Sequence, residues 1–103
     1  YNVVIAKEVC LDNLCAEKVE INFNNNSGMI DFQIKNKGDI PIQDGYFKIV
    51  FNNNKSYITR HGTIEPNNTE DVEIELYNEK VLSINNYELQ YLSDEELIMI
   101  NSN

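Results

Sequence analysis

The stretch that most limits what this chain can fold into is Asp71–Leu76. Val72, Ile74 and Leu76 alternate without interruption with Asp71, Glu73 and Glu75. Side chains of a β-strand leave alternate faces, so this pattern gives one apolar face and one charged face. The same period recurs in Val19, Ile21 and Phe23, set against Lys18, Glu20 and Asn22. It recurs again in Ile30, Phe32 and Ile34, in Phe47, Ile49 and Phe51, and in Tyr87, Leu89 and Tyr91. Val3 and Ile5 start a first strand, and a short one is expected around Ser56–Arg60. No window shows a convincing period of 3.6.

Turn clusters separate these runs at Asn24–Gly28, Asn52–Asn54 and Glu65–Thr69. Seven to nine short strands in 103 residues predict an all-β chain. The architecture expected is an immunoglobulin-like antiparallel β-sandwich, forming one domain over residues 1–103. Leu82-Ser83-Ile84-Asn85-Asn86-Tyr87 puts a tyrosine at the start of a late strand, the place of a tyrosine corner. There the hydroxyl bonds to backbone a few residues upstream, a structural role.

Two segments carry competing readings. Glu96–Ile100 is apolar on both faces, and its β-branched ending favours a strand that is covered or awaiting a partner. The alternative is a short helix with Ser93 as N-cap and Glu96 closing a capping box. Between residues 30 and 51, Asn36-Lys37-Gly38-Asp39 reads as a tight turn with Gly38 at positive φ. Gln43-Asp44-Gly45 reads as a bulge where the strand changes sheets, and Pro41 places the piece between at an edge. A hinge is preferred there to a binding loop.

The cysteines, Cys10 and Cys15, lack the CxxC spacing of zinc or redox motifs, and one histidine is too few to complete a metal shell. A local disulfide across a hairpin is the better reading, which implies an oxidising compartment; the alternative is two unpaired thiols in a cytosolic protein. N-x-[ST] patterns at Asn25, Asn54 and Asn67 fall in turn clusters and point the same way. An extracellular or cell-surface location is expected. Leu11 and Leu14 sit inside the cysteine hairpin, either as an exposed contact or folded back over the core.

Eight basic against seventeen acidic residues give a net charge of -9. That balance argues against nucleic acid and anionic lipid as partners. No apolar run is long enough to cross a bilayer. Since the chain begins at Tyr1 rather than Met, a longer precursor is expected, and this segment is read as its soluble part.

No catalytic, cofactor or metal constellation emerges. His61 lacks a companion nucleophile and reads as a surface or turn residue. Asp71, Glu73 and Glu75 read as a solvated face, although they pose the question of a bound cation. No Gly-rich phosphate loop, G-x-S-x-G or HExxH is present. The chain is read as non-enzymatic.

FQIKNKGDIPIQDGYFKIVFNN, then GTIEPNNTEDVEIEL, then NNYELQYL resemble immunoglobulin-like domains of prokaryotic surface proteins. The likeness extends to the bacterial cell-adhesion-related domain and to the soluble domains of archaeal type IV pilins and archaellum F and G proteins. It covers Ile30 to about Leu92. In the pilin-like proteins an N-terminal apolar helix precedes the sandwich, and a missing helix of that kind would stand before Tyr1. The resemblance implies a non-catalytic filament or adhesion subunit whose partner is a neighbouring subunit or surface-layer protein, and it assigns no functional residue. The segments expected at an interface are the two ends, Tyr1–Ala6 and Leu97–Ile100, with Val3, Val4, Ile5, Ile98 and Ile100 as candidate contacts, together with Leu11 and Leu14. The second reading is a free extracellular module for carbohydrate or protein, with Tyr46, Tyr57 and Tyr77 as aromatic platforms.

Overall fold

The alternating runs form strands in the computed structural model, which describes residues 2–24, 27–77 and 84–102. Their order is β1 (Asn2–Ile5), β2 (Val9–Leu11), β3 (Leu14–Asn24), β4 (Ser27–Asn36), β5 (Gly45–Phe51), β6 (Ser56–His61), β7 (Thr69–Tyr77) and β8 (Tyr87–Gln90). A helix, α1 (Asp94–Asn101), follows. The chain is all-β apart from this helix, and every strand pairing is antiparallel.

Two sheets share one core. The first has the order β1-β3-β4-β7, with β2 also on β3, and the second the order β6-β5-β8. Val19, Ile21, Ile30, Phe32 and Val72 of the first sheet are buried with Phe47, Ile49, Phe51 and Leu89 of the second. Phe32 and Phe47 meet edge to face across the two sheets, with ring centroids 6.1 Å apart. That geometry matches the quadrupole of each ring.

β1 and β2 lie along the same side of β3, end to end. Ile5 faces Val19 and Val9 faces Ala16, so three residues, Ala6–Glu8, stand opposite the two residues Glu17 and Lys18. The register of β3 against β4 shifts at the same place. This is the imbalance of a bulge, and it turns the N-terminal edge without ending it.

The crossing from β4 to β5 carries the chain from one sheet to the other over residues 37–44, as a hinge should. Its mechanism differs from expectation. No described glycine has positive φ. Gly38 packs closely instead: a Cβ there would lie 2.6 Å from Asn13 Nδ2, and that exposed side chain would have to move aside. Ile40–Ile42 forms one β-bridge, Ile42 to Ile64, rather than an edge strand.

Asn36 organises this crossing. It is fully buried, its Nδ2 donates to the carbonyls of Ile40 at 2.7 Å and Ile64 at 2.9 Å, and its Oδ1 accepts from Gly38 N at 2.8 Å. A buried amide costs free energy unless paired, and this one is saturated.

The C-terminal segment is a helix and not a strand. Ser93 Oγ accepts from Glu96 N at 3.2 Å and Glu96 Oε1 accepts from Ser93 N at 3.0 Å, a complete capping box. Two orphan amides are satisfied reciprocally, which outweighs the strand propensity of the β-branched ending. β8 ends at Gln90, so Tyr91 belongs to the connection and not to the strand. Among the described residues no helix is long and apolar enough to cross a membrane.

Candidate functional site

Cys10 and Cys15 face each other in the β2–β3 hairpin and are joined by a disulfide. A disulfide in place fits a non-reducing compartment. The hairpin folds inward: Leu14 is buried and Leu11 half-buried against the core. Glu8, Cys10 and Cys15 are the one group of metal-competent donors found close together among the described residues. Both sulfurs are in the disulfide, so no thiolate is available and the group reduces to one carboxylate.

His61 departs from expectation. It ends β6 but is buried, with its ring 5.9 Å from that of Phe47. Its Nδ1 lies 2.8 Å from the Gly62 carbonyl. A carbonyl only accepts, so Nδ1 carries a proton and donates it there. Aromatic packing and a satisfied Nδ1 are what allow burial.

Asp71, Glu73 and Glu75 lie on the outer face of β7 and are exposed. Asp71 accepts from Gln33 Nε2 at 2.9 Å, and Glu75 accepts from the Tyr77 hydroxyl. In register across the sheet, Glu20 faces Asp31 and Asp31 faces Glu73. Three like charges in a row destabilise pairing, but water screens them on this face.

Asn54 and Asn67 are exposed and adopt positive φ, 68° and 64°, in turns. Asparagine tolerates that region better than most side chains. Asn25 lies outside the described residues, as do Tyr1, Leu82 and Ser83.

Of the expected interface residues, Ile5 joins Leu14 in the core and Val3 is half-buried against it. Val4 points outward and is 50% exposed. At the other end Ile98 is 67% exposed, while Ile100 is half-buried. Leu97 and Met99, in the same expected end segment, are exposed as well, and α1 buries none of its residues. The helix is tied to the second sheet by Lys48 Nζ, 3.2 Å from Glu96 Oε1. Glu96 is held below the usual carboxylate range, first by the backbone and hydroxyl of Ser93 and then by Lys48.

Of the three tyrosines expected as platforms, Tyr57 is half-buried and packs on Phe51 at 6.1 Å. Tyr77 stays exposed beside Glu75, and Tyr46 lies at the loop end of the second sheet. There the disulfide hairpin, the 37–44 crossing and Tyr91 enclose a cavity of about 180 Å³, with His61 in its lining. Sequence reasoning missed it because its walls come from five separate stretches of the chain.

No protein-family model, curated protein or solved structure matches the chain.

Proposed function

We propose that the chain is a non-catalytic domain of a cell-surface protein, pilin-like or archaellum-associated, that acts through protein–protein contacts with a second copy of itself. One observation carries this reading: α1 has no buried residue and leaves Leu97, Ile98 and Met99 in water at 40, 67 and 69% exposure. A short helix gains most of its stability from burying an apolar face. Leu97, Ile98 and Met99 stand about 100° apart around the axis, so the apolar surface wraps round the helix. None of it is buried against the described residues, and exposed apolar groups mark contacts.

The strand order supports the immunoglobulin-like form of this proposal. β4 and β7 are neighbours in one sheet and β5 and β8 in the other, as strands B and E and strands C and F are in that fold. Tyr87 opens β8 in the position of strand F, although its hydroxyl bonds far upstream rather than nearby. The Cys10–Cys15 disulfide and the exposed turns at Asn54 and Asn67 favour an extracellular site. Sedimentation of the full chain against concentration, with and without Ile98→Asp, tests the proposal.

A further inference from the structure

Among the described residues, β7 is the longest strand at a sheet edge. It stands last in the first sheet, and its nine residues pair with β4 in unbroken register from Thr69 to Tyr77. Its first end is closed, because the Glu70 carboxylate accepts from Gly62 N at 2.9 Å. Over residues 71–77, no backbone group bonds to anything but β4 among the described residues. An antiparallel partner takes the amides and carbonyls of alternate residues only, so the other half of this set points away from the sheet.

Natural edge strands are blunted by shortness, bulges, proline or lysine. β7 has none of these between Thr69 and Tyr77. Its outer-face residues Asp71, Glu73 and Glu75 are exposed and negative instead. Two copies of β7 set edge to edge would bring these carboxylates together, and like charges across strands are destabilising. Within the sheet Glu73 already faces Asp31. On the inner face Ile74 is half-buried between the buried Val72 and Leu76.

We infer that the free edge of β7 takes up an extended segment of a partner protein, in which lysine or arginine alternates with apolar residues. The segment adds a strand to the first sheet, and its amides and carbonyls continue the ladder. Its cations stand beside Asp71, Glu73 and Glu75 on the outer face, and its apolar residues extend the cover over Ile74. The chain's charge of -9 steers a cationic partner towards it. No segment of this chain carries three basic residues at alternate positions, so the strand comes from a different protein. α1 does not approach β7, and this inference stands or falls separately from self-association.

The test titrates the full, isotopically labelled chain with acetyl-Lys-Val-Lys-Val-Lys-amide and follows it by NMR. The titration is repeated in Ile98→Asp with Met99→Asp, so that association through α1 plays no part. The expected result in both chains is a saturable downfield shift of alternate amide protons within residues 71–77, as new hydrogen bonds form. The same peptide N-methylated at its three central amides keeps its charge and side chains but loses its donors towards either edge. It should bind about tenfold more weakly, as the loss of one or two hydrogen bonds implies. Glu73→Gln should weaken the unmodified peptide about threefold, the effect of one cross-strand charge pair. Absence of a saturable shift in residues 71–77, equal binding of the N-methylated peptide, or unchanged affinity in Glu73→Gln would each overturn the inference. So would the same shifts appearing with protein concentration alone, which would make the occupant a second copy.

Discussion

The phenol of Tyr87 donates to the carbonyl of Lys7, 80 residues earlier, at 2.5 Å, and lies 3.2 Å from the carbonyl of Ala16. Lys7 is the middle of the three residues Ala6–Glu8 that oppose Glu17 and Lys18, and Ala16 borders that mismatch on the other strand. One side chain of the second sheet thus closes the gap that the bulge opens in the first. Tyr87→Phe keeps the ring and removes that donor. It should lower stability by about 1–2 kcal/mol, read as a shift in the urea midpoint with unchanged slope.

The same phenol makes the fold sensitive to alkali. Burial, then the charge of Glu8, pushes its pKa up to about 12 from 10.0. The unfolded chain therefore loses this proton first, and stability falls as pH rises from about 10 to about 12. Below pH 10 the contribution is complete. Tyr87→Phe should flatten this part of the curve, and an identical alkaline slope in the variant would contradict the assignment.

Asn36 should be the least replaceable polar residue. Asn36→Asp removes both donors and sets a carboxylate against the carbonyls of Ile40 and Ile64. With two buried acceptors unpaired at about 1–3 kcal/mol each, a loss of roughly 3 kcal/mol or more is expected in chemical denaturation. Asn36→Ser, with one donor, should fall between.

Reduction of Cys10–Cys15 should weaken the protein without unfolding it. The closed loop is short, with a sequence separation of 5, so the chain-entropy contribution is about 2 kcal/mol. For a domain of this size that is a fall of roughly 10 °C in Tm by calorimetry. The strand spectrum in circular dichroism should persist at 25 °C.

α1 depends on its cap, because it has no buried face to hold it. Ser93→Ala should cost about 1 kcal/mol of helix stability, seen as lost helical signal with the strands intact. Glu96 is held below its ordinary pKa. Its contribution is complete above the unfolded value and fades as pH falls through the lowered one. Acidification below about pH 4.5 should therefore melt α1 progressively.

What could be read in advance was whatever obeys a period. Asp71–Leu76 and Ile30–Ile34 show their inner and outer faces in the bare alternation, and the strands follow. The segment 94–101 was ambiguous because Ile98 and Ile100 suit a strand locally, whereas Ser93 and Glu96 decide the matter three residues apart. Gly38 shows a second limit. Its neighbours suggest a turn glycine at positive φ, but its close contact is with Asn13, a residue of another hairpin. The buried position of His61 was equally hidden, since it depends on Phe47 and the fold of the 37–44 crossing. The candidate cavity is assembled from side chains distant in sequence, and no local pattern announces it.

Association through α1 is the central claim, and sedimentation velocity of the full chain over a wide concentration range tests it most directly. Copies carrying -9 repel one another, so apolar association should strengthen as salt shortens the screening length. The account predicts a mass that rises above the monomer with concentration, more steeply at 0.5 M salt (about a 4 Å Debye length) than at 0.05 M. Ile98→Asp with Met99→Asp should return it to monomer while the strands stay folded. A wild-type chain that stays monomeric at every concentration and salt, or a variant that associates as well as the wild type, would contradict it.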